Sequence, residues 1–140
     1  MHELEAICDV CKRVVADGEG NLWVDMAEVE QVTVNERAWE QLESEPQEGG
    51  AVTFSGGSLL SYPAPARWRV DHASCDPAPD ANAYAIEVHR CRSWADLVLW
   101  TAHLMGKEWL LHSDWDELLR AASESTGTRI SPAVRPTLHR

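Results

Sequence analysis

Two pairs of metal-binding residue types, each with two residues between its members, constrain this chain more than any other feature. The first pair is Cys8 and Cys11, and the second is His72 and Cys75. A pair with this spacing can present both donor atoms from one tight turn, and Zn²⁺ takes four nitrogen or sulfur donors in a tetrahedron. We therefore predict that Cys8, Cys11, His72 and Cys75 bind one structural zinc ion, with no coordination position left for water.

The distance between the two pairs leaves alternatives open. Sixty residues separate Cys11 from His72, which is more than in ordinary zinc fingers. His89 is an alternative fourth ligand. Cys91 could also replace a ligand, although a small buried apolar residue explains it better. A redox function of the first pair is disfavoured, because no predicted strand precedes it to place the cysteines at a helix start.

Alternating apolar side chains predict three strands, at 21–26, 68–71 and 83–90. Two apolar stripes of helical period follow, and each begins after a serine that stands three residues before an aspartate, namely Ser93 and Ser113. The predicted fold class is therefore α+β. We expect a small antiparallel sheet with a zinc knuckle or ribbon-like site, and a C-terminal helical hairpin packed on one face.

Another helix is predicted at 36–44, because Asn35 is a good N-cap and Pro46 stops the helix. Ser113 and the aspartates that follow it are interpreted as a cap and first-turn charges of the last helix. This interpretation also accounts for a sequence cluster of histidines and carboxylates that would otherwise suggest acid–base catalysis.

The length of 140 residues fits one domain. We expect a single zinc-stabilised domain over 1–123, with 44–66 as a flexible insertion because it is rich in Gly, Ser and Pro. A disordered tail is expected over 124–140. The Met1–Ala6 start has no apolar run, so we expect a cytoplasmic protein that does not contact a membrane.

The charge of the chain disfavours nucleic acid as a partner. Its formal net charge is −11, and binding to phosphate backbones needs a basic patch. A nucleic-acid-binding zinc protein that uses Lys12, Arg13, Arg67, Arg69 and the basic tail is the alternative. The phosphate-binding loops and hydrolase motifs of common enzyme families are absent from the sequence, so we expect no enzymatic activity.

Seven tryptophans are many for a chain of this length, and tryptophan is favoured in cores and at protein interfaces. We interpret the chain as a non-enzymatic, zinc-binding module for protein–protein interaction or regulation. The expected partner is another protein, a basic one being the first candidate, and the oligomeric state is left open. Trp100, His103 and Trp109 are the predicted partner-binding residues, with a second buried face as the alternative explanation.

Several segments resemble small uncharacterised proteins of actinobacteria and their phages that carry paired CxxC and HxxC knuckles. The likeness covers about residues 6–120, and the motifs that carry it are Cys8–Cys11, Leu22–Asp25, Trp68–Asp76, Tyr84–Val88 and Trp100–Met105. The resemblance implies a cytoplasmic bacterial or phage protein with two paired knuckles. It implies no catalytic residues.

Overall fold

The computed structural model describes residues 3–44, 63–75 and 82–133, and it has the predicted α+β architecture. Residues 45–62 of the predicted flexible insertion lie outside the described ranges, so that prediction remains a prediction there. The elements in chain order are β1 (Leu4–Ile7), β2 (Val14–Val15), β3 (Gly20–Asp25), α1 (Met26–Ser44), β4 (Arg69–His72), β5 (Ala83–Glu87), a 3-10 helix (Val88–Arg90), α2 (Trp94–Leu104), a second 3-10 helix (Glu108–His112), α3 (Trp115–Ser123) and β6 (Ile130–Pro132).

The three predicted strands form one antiparallel sheet in the order β4-β3-β5. The central strand β3 pairs Leu22 with Val70 on one side and with Ile86 on the other, and all three side chains are buried. The last predicted strand is shorter than expected, because the chain turns into a 3-10 helix at Val88, whose side chain enters the core.

A second antiparallel sheet, of order β2-β1-β6, was not predicted. Strand β6 lies in the segment that we expected to be disordered, so the prediction is wrong for residues 124–133. The physical reason is that Ile130 is buried, and that β6 pairs along β1 from Leu4 to Ala6. Residues 134–140 lie outside the described part of the chain.

Helix α1 begins ten residues earlier than the predicted helix. The Asp25 carboxylate accepts a hydrogen bond from the Ala27 backbone N–H at 2.9 Å, as an N-terminal cap does. Val29 and Val32, three residues apart, are buried on one side of this helix. Asn35, the predicted cap, lies within the helix instead. Within the described ranges, no helix is both long and apolar enough to cross a membrane.

The predicted start of α2 is confirmed. The Ser93 hydroxyl accepts from the Asp96 N–H at 3.0 Å, and the Asp96 carboxylate accepts from the Ser93 N–H at 3.1 Å, which is a complete capping box. Helix α3 contacts α2 through Trp115, whose indole N–H donates to the Thr101 hydroxyl at 2.9 Å.

The prediction of Ser113 as the cap of α3 is wrong, because Asp114 is the N-cap residue and its side chain makes no capping hydrogen bond. Asp116 lies in the first turn of α3, as predicted. The Ser113 hydroxyl accepts from the Trp68 indole N–H at 3.0 Å. The Asp114 carboxylate accepts from the Trp68 backbone N–H and from Arg129, both at 2.8 Å. These polar groups therefore hold the fully buried Trp68, whose ring also contacts Tyr84, Trp109 and Trp115.

Candidate metal centre

The four predicted ligands lie together. Their donor atoms, one from each of Cys8, Cys11, His72 and Cys75, are all within 4.8 Å of one another. His72 Nδ1 is 3.2 Å from Cys11 Sγ and 3.9 Å from Cys75 Sγ. Zinc bonds of about 2.0–2.3 Å place neighbouring donors of a tetrahedron about 3.3–3.8 Å apart. The cluster is therefore close enough to bind one metal ion, and its donor chemistry suits zinc.

Two turns at strand ends position these ligands. Cys8 directly follows β1, and the turn after it is closed by a hydrogen bond from the Lys12 N–H to the Cys8 carbonyl at 2.9 Å. Lys12 adopts a φ of 65°, the left-handed conformation that reverses the chain after Cys11. His72 ends β4, and its carbonyl accepts from the Cys75 N–H at 3.0 Å.

Backbone hydrogen bonds prepare Cys8 to bind as a thiolate. Its sulfur accepts from the backbone N–H groups of Val10 and His72, each at 3.4 Å. Burial acts to raise the pKa of Cys8, but the backbone donors of Cys11, His72 and Val10 outweigh burial and lower the pKa to about 6.

Cys75 has the opposite shift. Burial, followed by hydrogen bonds and charge repulsion from Cys8 and Cys11, raises the pKa of Cys75 to about 11. Three sulfurs this close cannot all ionise easily without a cation among them. With Zn²⁺ bound, three thiolates leave a net charge of −1, and the exposed Lys12 and Arg13 lie next to the first pair to offset it.

His72 is held in the orientation that a metal ligand requires. Its Nε2 lies 3.1 Å from the Val14 carbonyl oxygen, which can only accept a hydrogen bond. Nε2 therefore carries the proton, and Nδ1 has its lone pair free for a metal ion. A backbone carbonyl behind a ligating histidine is a common arrangement in metal sites.

Asp9 is an important residue of this centre that the sequence analysis missed. Its N–H donates to the Val70 carbonyl at 2.7 Å, and its carboxylate accepts from the Val70 N–H at 2.8 Å. The same carboxylate binds both Nη atoms of Arg67, at 3.1 and 3.2 Å, and this hydrogen bonding raises the pKa of Arg67. Asp9 thus fixes the first ligand pair to β4. A contact across about 60 residues has no local sequence signal.

The two alternative ligands lie outside the cluster. His89 is exposed and faces the Glu87 carboxylate at 4.0 Å. Cys91 is fully buried, and burial, reinforced by the charge of Asp96, raises its pKa to about 12. In the part of the chain that the structure describes, the Cys3His group is the one cluster that could hold a metal ion.

The three predicted partner-binding residues do not form one surface. Trp100 and His103 lie next to each other on α2, with ring centroids 5.5 Å apart, and His103 is exposed. Trp109 packs against Trp68 and Tyr84, with centroid distances of 6.1 and 5.2 Å, as a core side chain does. Whether any of the three contacts a partner stays a prediction.

Two of the four cations of the nucleic-acid alternative are already paired. The Arg67 guanidinium binds a carboxylate at 3.1 Å, and that of Arg69 lies 3.9 Å from one. Only Lys12 and Arg13 of this set are exposed side chains beside the metal centre. The described surface therefore gives no specific support for a phosphate-binding site.

No protein-family model, no curated protein and no solved structure matches this chain. The resemblance to proteins of actinobacteria and their phages accordingly stays a prediction. The functional interpretation depends on the metal centre and on the surfaces around it.

Proposed function

We propose that this chain is a non-enzymatic module that binds one structural zinc ion and recognises another protein. The observation that carries the proposal is the Cys3His cluster, in which four suitable donor atoms lie within 4.8 Å of one another. Such a donor set fills the tetrahedron of zinc and leaves no position for a substrate or an activated water.

The surroundings of the cluster support a structural function for the metal. The ligand Cys8 follows a strand of one sheet, whereas His72 ends a strand of the other. A zinc ion held by both would join the two sheets. The four cysteines of the chain are free thiols, and a reducing compartment such as the cytoplasm would keep the ligands available.

The outer surface supports recognition of another protein. Several apolar side chains of α2 are exposed, among them Val98 and Leu99. Contiguous exposed apolar surface is typical of protein interaction sites. The strongly acidic chain favours a basic partner, because opposite charge speeds association and excludes wrong partners.

Metal content of the untagged protein tests the zinc part of the proposal. We expect native mass spectrometry to find one zinc per chain, and Cys8→Ser to lose both the zinc and the cooperative unfolding transition. Cys91→Ser is the matched control, because Cys91 is buried but lies outside the cluster. Wild-type protein that is folded and free of metal would refute the zinc assignment.

The interaction part needs a separate test. Immobilised wild-type protein and the double variant Trp100→Ala/His103→Ala would be compared in extract of the native host, with bound proteins identified by mass spectrometry. We expect a basic protein to be retained by the wild type. A monomer in light scattering that retains no protein from this extract would end this part of the proposal.

A further inference from the structure

An open apolar groove runs between helices α2 and α3. Its volume is about 680 Å³, and its walls come from both helices. The apolar residues that line it include Trp94, Leu97, Val98, Met105 and Leu119. The groove is formed by different residues from the metal centre and from the Trp100–His103 surface.

Several large apolar side chains in the groove walls are exposed to solvent. Val98 is 67% exposed, Met105 is 72% exposed, and Trp94 is 38% exposed. Single exposed apolar residues are normal on protein surfaces, but a contiguous set along one helix marks a binding surface. Methionine and tryptophan also adapt well to a partner's side chains.

The charges around the groove are negative on balance. Among the described residues that form its walls, Arg120 is the one cation, and it is paired with Asp116 of the same groove at 3.6 Å. At the Trp94 end, the Glu3 carboxylate accepts from the Trp94 backbone N–H at 2.9 Å. The whole chain has a net charge of −11, so the long-range field around the groove is negative as well.

We infer that this groove binds an amphipathic helix of a partner protein, with an apolar stripe flanked by Lys and Arg. The inference rests on the proposed function and names a recognition surface in addition to Trp100 and His103. A helix with apolar residues at i, i+3, i+4 and i+7 fits a groove between two helices. Its basic flanks would meet the carboxylates of Glu3 and Asp116 at the groove and the negative field of the whole chain. A second copy of this chain is a poor occupant of the groove, because its own acidic groups would face the acidic groups of the first copy.

A designed peptide tests this inference on the full chain. The probe is a fluorescein-labelled helix of about 18 residues, long enough for five turns, with Leu at the stripe positions and Lys elsewhere. Two matched peptides carry Glu in place of Lys, or the same Leu and Lys in an order without a stripe. Fluorescence anisotropy gives the affinities, and the indole NMR signal of Trp94 reports whether binding occurs in the groove.

We expect the basic amphipathic peptide to bind at least tenfold more tightly than either matched peptide, and to shift the Trp94 signal. Val98→Asp should weaken binding at least tenfold, since it places a charge in the apolar groove. Leu111→Asp is the control, because Leu111 is 87% exposed and lies outside the groove, and it should bind like the wild type.

Three results would overturn the inference: equal binding of the three peptides, equal loss in both variants, or a wild-type dimer that Val98→Asp converts to a monomer. The last result would identify a second copy as the occupant. Zinc content is measured on the same samples. One zinc without groove binding would end this inference alone, whereas groove binding without zinc would end only the zinc part of the proposed function.

Discussion

Asp9 connects the metal centre to the central sheet. It lies between the two cysteines of the first pair, yet both its backbone and its carboxylate bind Val70 of β4. The next residue but one along β4 is the ligand His72. Asp9 therefore fixes the position of the first pair relative to the second through hydrogen bonds of the protein itself.

Asp9→Ala should weaken zinc binding about tenfold or more, as loss of an outer hydrogen-bonding residue commonly does. It should also reduce the free energy of unfolding by about 1–3 kcal/mol, because the Val70 N–H would lose its partner. The partly exposed ion pair of Arg67 with Asp9 adds little to this free energy. Competition with a chromophoric chelator measures the affinity, and Glu30→Ala, at an exposed carboxylate of α1, is the control. Equal affinity in both variants would contradict the assignment.

Cys91 should behave differently from the other cysteines towards alkylating reagents. It is fully buried, and burial raises its pKa to about 12, so almost no thiolate is present at pH 8. We expect Cys91 to stay unmodified by iodoacetamide in the folded protein and to react fully in denaturant. Peptide mass mapping measures the alkylated fraction of each cysteine. If Cys91 is modified as fast in the folded state as in denaturant, its side chain is not buried.

At the scale of elements, the sequence predicted what long periodic patterns can show. The strands of the β4-β3-β5 sheet and the capped start of α2 follow from alternation and from Ser93 with Asp96. The second sheet was missed because β2 has two residues and β6 has three, too few to show a period of two. The early part of α1 was missed because Val29, Val32 and Thr33 are β-branched and have a weak helix propensity. The burial of the two valines outweighs that propensity.

Asp114 and Asp116 flank the start of α3 and look equivalent in sequence, but the structure distinguishes them. The Asp114 and Arg129 side chains are only 7% and 10% exposed, whereas Asp116 forms an exposed pair with Arg120. Asp114→Ala should cost about 3–5 kcal/mol of unfolding free energy, because it leaves Arg129 buried without its carboxylate.

The matched variant Asp116→Ala should lower the free energy of unfolding by at most about 0.5 kcal/mol, because it removes only an exposed ion pair one helical turn apart. Urea unfolding followed by tryptophan fluorescence gives both values. Similar losses in the two variants would mean that the buried network does not support Trp68 as described.

At the scale of the whole molecule, the sequence predicted the residues of the metal centre well but not the position of that centre in the fold. The spacing of the two pairs identified all four residues of the Cys3His cluster, since each pair is local. The sequence could not show that the site lies between two sheets. Cys8 follows β1 and His72 ends β4, and which sheet each of these strands joins is decided by pairing with distant strands. The aromatic core around Trp68 likewise depends on contacts between distant segments.

This arrangement predicts that stability follows free zinc. A ligand that binds only the folded chain raises the free energy of unfolding by RT ln(1 + [Zn]/Kd), which is about 1.4 kcal/mol for each tenfold rise in free zinc above Kd. Urea unfolding in zinc buffers should show this slope for the wild type, whereas Cys8→Ser should show no cooperative transition at any of these zinc concentrations. Mg²⁺ should have no effect, because it prefers oxygen ligands. The contrary result is a wild-type slope of zero over the range in which mass spectrometry finds zinc bound. In that case zinc binding would not stabilise the folded state, and the metal would not join the two sheets.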